Sequence, residues 1–278
     1  MSVGVICFSP TGTTRTVCIE VARGLGDAEP TLFDVTLPEG REAVLNEADD
    51  LVLAFDQVVV GVPVYLGKIP PLPAEVLSRV QGRGRRVSAV TVYGNRDFGV
   101  ALRRLCETLV SRGFDLASAG AFIGEHSYSA IIPVAVARPD EADMEAARRF
   151  GASSARVIGT LSPGQVEEQL DLFSRSESFA GLHPRFSRRS CIECGDCHAV
   201  CPTGIIAEGT GEYACTDHKR RCIGCMACVR ACPAEGRTLS VGWLDRLMVR
   251  VVLRNAARLR QEPRVFLPRQ ILEAAAPF

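Results

Sequence analysis

Apolar positions along the chain change period several times, and each change marks an element. Residues 3–8 (VGVICF) are an unbroken apolar run, and beyond a turn of Ser, Thr and Gly the segment 13–25 takes helical spacing. A strand near 31–35, a helix near 40–48 and a wholly apolar strand at 58–62 (VVVGV) follow. Then come a helix near 73–81, a strand at 87–92 (VSAVTV), a helix near 98–112 and a strand near 117–123. Continuous Val/Ile/Ala strands alternating with amphipathic helices predict a parallel sheet covered on both faces. Five such strands make a doubly wound α/β domain, whose ligands bind beyond the carboxyl ends of the strands. The loops there read SPTGTT, PVYLGKIPP, YGNRDFG and GEHSYSA.

After a helix near 140–161 the pattern lapses. The Ser-, Gly- and charge-rich stretch that follows reads as a linker with a short helix near 165–173, and a cysteine-dense region runs from about 186 to 240. In the tail, LDRLMVRVVLRNAARL (244–259) places Leu244, Leu247, Met248, Val251, Val252 and Leu259 on one apolar stripe. Arg246, Arg250, Arg254 and Arg258 recur on a separate face. The expectation is a helix that packs this stripe on its own domain, with docking to an acidic redox partner or contact with a membrane as alternatives. The division expected is 1–162 for the α/β domain, 163–187 for the linker, 188–240 for the cysteine domain and 241–278 for an Arg-rich helical tail.

Composition narrows the choice of chemistry. The chain has 278 residues and a formal net charge of zero, so its global electrostatics recruit neither nucleic acid nor an anionic surface. No apolar run approaches the ~18 residues of a membrane span. The start, MSVGVICFSP, lacks the charged opening and apolar run of an export signal, so the expected location is cytoplasmic. Twelve cysteines in a chain that is not exported argue for metal ligation rather than disulfides.

Eight of those cysteines form an internal repeat, CIECGDCHAVCP (191–202) and CIGCMACVRACP (222–233), each spelling Cys-x-x-Cys-x-x-Cys-x-x-x-Cys-Pro. Structural zinc would use two pairs and has no use for a third evenly spaced cysteine followed by Cys-Pro. The segment resembles the two-cluster bacterial-type ferredoxins. In that pattern three cysteines of each run hold one cubane and the fourth crosses to the other. The resemblance implies Cys191, Cys194, Cys197 and Cys232 around one 4Fe-4S cluster, and Cys222, Cys225, Cys228 and Cys201 around a second. Cys215 has no partner spacing and reads as a non-ligand, while Cys7, Cys18 and Cys106 fall where a small buried hydrophobe is expected.

The turn after the first strand lacks the lysine of a nucleotide-hydrolysing P-loop. It offers Ser9, Thr11, Thr13 and Thr14 around Gly12, hydroxyls and N–H groups suited to one terminal phosphate such as that of FMN, although a plain capped turn would also favour Ser and Thr. SPTGTT resembles the flavodoxin phosphate loop, and with the cysteine repeat the chain resembles the flavodoxin/ferredoxin fusion family over about 1–240. That resemblance implies a flavodoxin-like five-stranded sheet binding FMN, plus a small α+β ferredoxin-like domain. It sets Val64, Tyr65, Gly67 and Lys68 on one side of the flavin ring and Tyr93, Gly94, Asn95, Asp97 and Phe98 on the other. The tryptophan common in the ring loops of carrier flavodoxins is missing. His126 and Tyr128, past the fifth strand, are the candidate catalytic pair, with His126 a proton donor beside a reduced flavin.

The function expected is a redox protein that passes electrons between two 4Fe-4S clusters and FMN for a partner, a ferredoxin or a reductase. The alternatives are a ferredoxin-dependent reductase acting on a small molecule at the flavin, and a redox or oxygen sensor. No dinucleotide fingerprint is present. A homodimer that pairs the flavin of one subunit with the clusters of the other is left open.

Overall fold

The structure, a computed structural model, describes residues 1–169 and 182–268. The opening apolar run is β1 (Val3–Cys7), buried at every position. After it come α1 (Thr13–Leu25), β2 (Thr31–Asp34), α2 (Pro38–Asn46), β3 (Gln57–Pro63), α3 (Pro71–Leu77), β4 (Arg86–Tyr93), α4 (Ala101–Ser111), β5 (Asp115–Ile123) and α5 (Glu141–Ala155). The first five strands lie in the order β2-β1-β3-β4-β5, every neighbour parallel. This is the flavodoxin-like doubly wound order.

Side-chain alternation along the strands divides the core in two. Ile6, Val58, Val60 and Val62 face α2, α3 and α4 through Val44, Val76, Leu102 and Leu105. Val5, Val59 and Val90 face α1 and α5 through Val17, Val21 and Phe150. Gly61 is required on that second face, because a Cβ there would lie 2.0 Å from the Cys18 sulfur, so its absence lets α1 sit down on the sheet. The capping box of α5, with reciprocal bonds between Asp140 and Asp143, fixes where the chain leaves the loop after β5.

The cysteine region is small and loop-rich. A two-stranded antiparallel pair, β6 (Arg185–Phe186) and β7 (Arg237–Thr238), brackets three short helices, α6 (Asp196–Ala199), α7 (His218–Arg221) and α8 (Ala227–Ala231). Of the helix expected near 165–173, residues from 170 lie outside the described residues; the described part holds a 3-10 turn, Pro163–Gln165. Positions 269–278 of the tail are also outside.

Two features of the tail differ from expectation. The sheet has six strands, not five, because β8 (Arg264–Phe266) pairs antiparallel with β5, Gly120 opposite Val265. Three residues in an arginine-rich segment carry no readable strand period, and only the open edge of β5 selects them. The helix α9 (Trp243–Leu253) is present, but it buries Val249 and Leu253, with Ala256 beyond its end, against Ile131, Val134, Met226 and Leu239. Leu244, Leu247, Met248, Val251 and Leu259 of the expected stripe are exposed, and Val252 is half-buried. The expected packing of that stripe is therefore corrected. Val249, Leu253 and Ala256 recur at i, i+4 and i+7, and this narrow stripe fits the small apolar surface beneath the helix.

The tail is held by one buried side chain. Asn95 Nδ2 donates to the carbonyls of Ala256 (2.7 Å) and Leu259 (2.6 Å), while its Oδ1 accepts from the Gln261 amide at 3.0 Å and from Arg138 at 3.3 Å. Arg138 is itself buried in an ion pair with Asp143. Replacing Asn95 with Ala strips partners from several buried groups at once and should cost about 2–3 kcal/mol. Hydrogen exchange at 256–266 should rise towards that of a free tail in this variant; unchanged protection there would show that β8 pairing alone holds the segment.

Candidate functional site

The eight repeat cysteines separate into two sets of four. Cys191, Cys194, Cys197 and Cys232 line one cavity of about 330 Å³, with Phe186, Gly211, Gly236 and Arg237. Cys201, Cys222, Cys225 and Cys228 line another of about 350 Å³, with Ile206, Tyr213 and Met226. Each run thus gives three cysteines to one cavity and its fourth to the other. The short helices α6 and α8 effect the crossing by carrying the chain past the third cysteine before the fourth is set.

Among the described residues no three such side chains converge on a single metal-ion site, and each set of four cysteines lines a shared cavity. Burial pushes the Cys222 and Cys225 thiols up, and that of Cys228 to about 12. Such groups stay protonated until a metal core takes their charge. Four cysteine sulfurs on one cavity are the donor set that a 4Fe-4S cluster takes. The Glu193 amide donates to Cys191 Sγ at 3.4 Å. Cys215 lines neither cavity, and Cys7, Cys18 and Cys106 are buried, with burial pushing all three thiols up.

At the carboxyl ends of β1, β3, β4 and β5 lies a cavity of about 660 Å³. Thr11, Thr13, Val64, Tyr65, Tyr93, Gly94, His126 and Tyr128 line it, and so do Ile223 and Gly224 from between Cys222 and Cys225. The phosphate-type turn is ordered by its own side chains. Ser9 Oγ accepts from the Arg15 amide at 3.0 Å, and Gly12 holds φ 84° at the helix start with open space where a Cβ would stand. Thr14 Oγ1 is buried without a partner in the protein. Of the turn, Thr11 and Thr13 line the cavity, and the orphaned Thr14 hydroxyl in the first turn of α1 is the kind of group a bound phosphate satisfies.

The ring loops are more divided than the sequence implies. Gly67 and Asp97 line an adjoining cavity of about 580 Å³, together with Val64, Gly94, His126, Tyr128 and the inner side of α9 (Met248, Val249, Val252, Leu253). Lys68 closes a tight turn by exchanging backbone bonds with Tyr65 at 3.0 and 3.1 Å. Phe98 is core, packed edge-on against Tyr93 at 5.6 Å, and Asn95 is committed to the tail. Burial raises the Tyr93 phenol to about 12 and holds those of Tyr65 and Tyr128 up; the thiols of Cys225 and Cys222, respectively, add to the latter two. Both tyrosines line the cavity that Ile223 and Gly224 also reach.

His126 is half-buried in the cavity wall and held neutral. Its Nδ1 accepts from the Tyr128 amide at 3.0 Å, which leaves the proton on Nε2, and burial lowers its pKa to about 4. It can donate an N–H hydrogen bond, but at neutral pH it carries no second proton to give. Gly94 makes room for it, since a Cβ there would come within 2.4 Å of the imidazole. Ile223, Gly224 and the inner face of α9 escape sequence reasoning, because they reach the site only when the domains meet. Glu125 pairs with Arg230 of α8 at 3.2 Å, and Arg41 of α2 donates to the Pro202 carbonyl at 2.8 Å.

Residues 183–233 match the 4Fe-4S dicluster domain family. The thiosulfate reductase electron transfer subunit PhsB of Salmonella typhi is 34% identical over 88 residues, 31% of this chain and 45% of that protein. A selenate reductase subunit of Mesobacillus selenatarsenatis is 33% identical over 98 residues, 33% of each. The chain thus spans less than half the length of these relatives. Among solved structures, an archaeal flavodoxin aligns at 17% identity over 56% of this chain and 96% of its own, with a TM-score of 0.40. Flavodoxin 2 of Bacillus cereus aligns at 19% over 56% and 98%, with a TM-score of 0.41. The strand order itself assigns the first domain. The chain joins a flavodoxin-like α/β domain to a 4Fe-4S dicluster domain, and among the described residues no helix is long and apolar enough to cross a membrane.

The burial of His126 has a pH signature. Its folded-state value lies below the ordinary 6.5, so the unfolded chain binds the extra proton first. The stability due to its neutral burial is fully present above pH 6.5 and is lost as pH falls towards 4, roughly 3 kcal/mol over that window. Urea midpoints should fall less steeply with pH in His126→Asn than in the wild type across that window. Equal slopes would contradict a buried neutral imidazole.

Proposed function

We propose that the chain is a redox relay between two 4Fe-4S clusters and FMN, serving a partner oxidoreductase. One observation carries this reading: Ile223 and Gly224, between Cys222 and Cys225, form part of the wall of the cavity that also holds the phosphate-type turn. Cys191, Cys194, Cys197 and Cys232 would hold one cluster, and Cys201, Cys222, Cys225 and Cys228 the other. Ser9, Thr11, Gly12, Thr13 and Thr14 would take the phosphate of FMN, with Val64, Tyr65, Tyr93 and Gly94 along its length. Clusters supply single-electron steps and a flavin accepts one or two electrons, so the pair interconverts the two kinds of transfer. The protein's own part is placement and exclusion of water. The Cys222–Cys225 loop would bring the second cluster against the flavin cavity of the same chain, which Tyr65 and Tyr128 also line. His126 offers a neutral N–H at the cavity wall. The curated relatives, by name an electron transfer subunit and a reductase subunit, support the same class of function.

Anaerobic stopped-flow reduction by a one-electron donor protein tests the route. In Cys225→Ala, flavin content should persist while flavin reduction slows sharply. A variant that keeps its flavin and its wild-type rate would show that electrons enter elsewhere.

The partner surface in this reading is α9. Its outer side exposes Trp243, Leu244, Leu247 and Val251, and its inner side lines the cavity beside the flavin site, so a partner docked there stands one helix diameter away. Arg246, Arg250, Arg254 and Arg258 are exposed and have no carboxylate partner among the described residues, which suits an apolar partner patch with an acidic rim. Reversing charge in Arg246→Glu/Arg250→Glu should slow electron transfer with that partner and flatten its salt dependence. A rate and salt slope equal to the wild type would remove α9 from the docking surface.

A further inference from the structure

Arg237, the first residue of β7, is the largest of the fully buried side chains, with 1% exposure. Its Cζ lies 4.8 Å from the centre of the Phe186 ring and 4.3 Å from that of Tyr213. Nη2 donates to the Gly211 carbonyl, whereas Nε and Nη1 are buried without an acceptor. No carboxylate pairs with it among the described residues. Two aromatic faces offset part of the desolvation of a guanidinium, which is a permanent cation, but a buried charge of this kind needs an anion.

Its surroundings indicate where that anion belongs. Phe186, Gly211, Gly236 and Arg237 itself line the cavity of Cys191, Cys194, Cys197 and Cys232. Tyr213, on the other side of the guanidinium, lines the cavity of Cys201, Cys222, Cys225 and Cys228. The cation thus stands in the partition between two sites, each of which gathers four thiolates when loaded.

We propose that Arg237 is the shared internal counter-cation of the two clusters and raises the reduction potential of both. This rests on the reading that each cysteine set holds a 4Fe-4S cluster. One-electron reduction adds a negative charge to a cluster and breaks no bond. A fixed cation in a low-dielectric wall stabilises the reduced form more than the oxidised one. Neither ring loop nor α9 takes part.

The test uses the full-length protein, reconstituted anaerobically and assayed for iron and sulfide, then reduced stepwise with dithionite while the EPR signals of the reduced clusters are followed. Arg237→Met should move the reduction equilibrium of both clusters towards the oxidised form by about tenfold, which is about 59 mV for a one-electron couple. Arg237→Lys, which keeps the charge, should stay near the wild type. Unchanged midpoints in a fully loaded Arg237→Met, a shift at one cluster alone, or an equal shift in Arg237→Lys would each overturn the proposal. Should Arg237→Met fail to hold iron, Arg237→Lys decides. Loading with wild-type midpoints supports a need for charge, and loss of iron there too shows that stacking between Phe186 and Tyr213 is the residue's role. A wild-type protein that takes up no iron would instead remove the cluster reading on which the inference stands.

Discussion

Two residues between consecutive cysteines, Ile223 and Gly224, carry the constraint on which the arrangement of the molecule depends. A two-residue gap wraps the chain tightly round the cavity of Cys201, Cys222, Cys225 and Cys228, so the outer side of that loop has nowhere to go but against a neighbour. The neighbour is the carboxyl-end cavity of the parallel sheet, where Ile223 also packs on the first domain's core. One loop therefore serves both sites, and its position fixes how the domains meet. The Glu125–Arg230 pair and the Arg41 bond to Pro202 add specific polar contacts to this apolar seam.

The second structural dependency runs through Asn95. In the left-handed conformation, with φ 59°, it presents both ends of its amide to the returning tail, and Arg138 and Asp143 fix it from behind. Asparagine tolerates that backbone better than most residues and has a donor and an acceptor to offer. The tail it anchors supplies β8 to the sheet edge and α9 over the cavity lined by Gly67, Asp97 and His126. A segment with the composition of an appendage is thereby part of the site.

Charge in this protein is local rather than global. The formal balance of zero conceals a fully buried arginine between two sulfur-lined cavities and a ridge of arginines along the exposed side of α9. Buried charge acts strongly because the medium around it is poorly polarisable, whereas the exposed ridge is open to screening by salt. The two kinds of arginine thus suit different tasks, one setting an internal energy and the other meeting a surface.

Local patterns sufficed for much of this protein. Unbroken apolar runs such as VVVGV and helical spacing between them determined the parallel doubly wound domain, since burial on both faces leaves a strand no polar side to show. The repeated cysteine spacing determined the dicluster domain, because so tight a set of thiols answers only to a metal core. The Ser/Thr turn was legible for the same reason, its hydroxyls being contiguous in the chain, and Thr11 and Thr13 of it line the large cavity. Tertiary structure decided the rest. It set Ile223 and Gly224 against the cavity at the carboxyl ends of the sheet, diverted Asn95 from a ring loop to the tail, buried Val249 and Leu253 in place of Leu244 and Leu247, and placed Arg237 between the cysteine sets. Each of these outcomes depends on a surface built from residues far away in sequence, and a one-dimensional pattern records what a segment can bury but not which surface will be there to receive it.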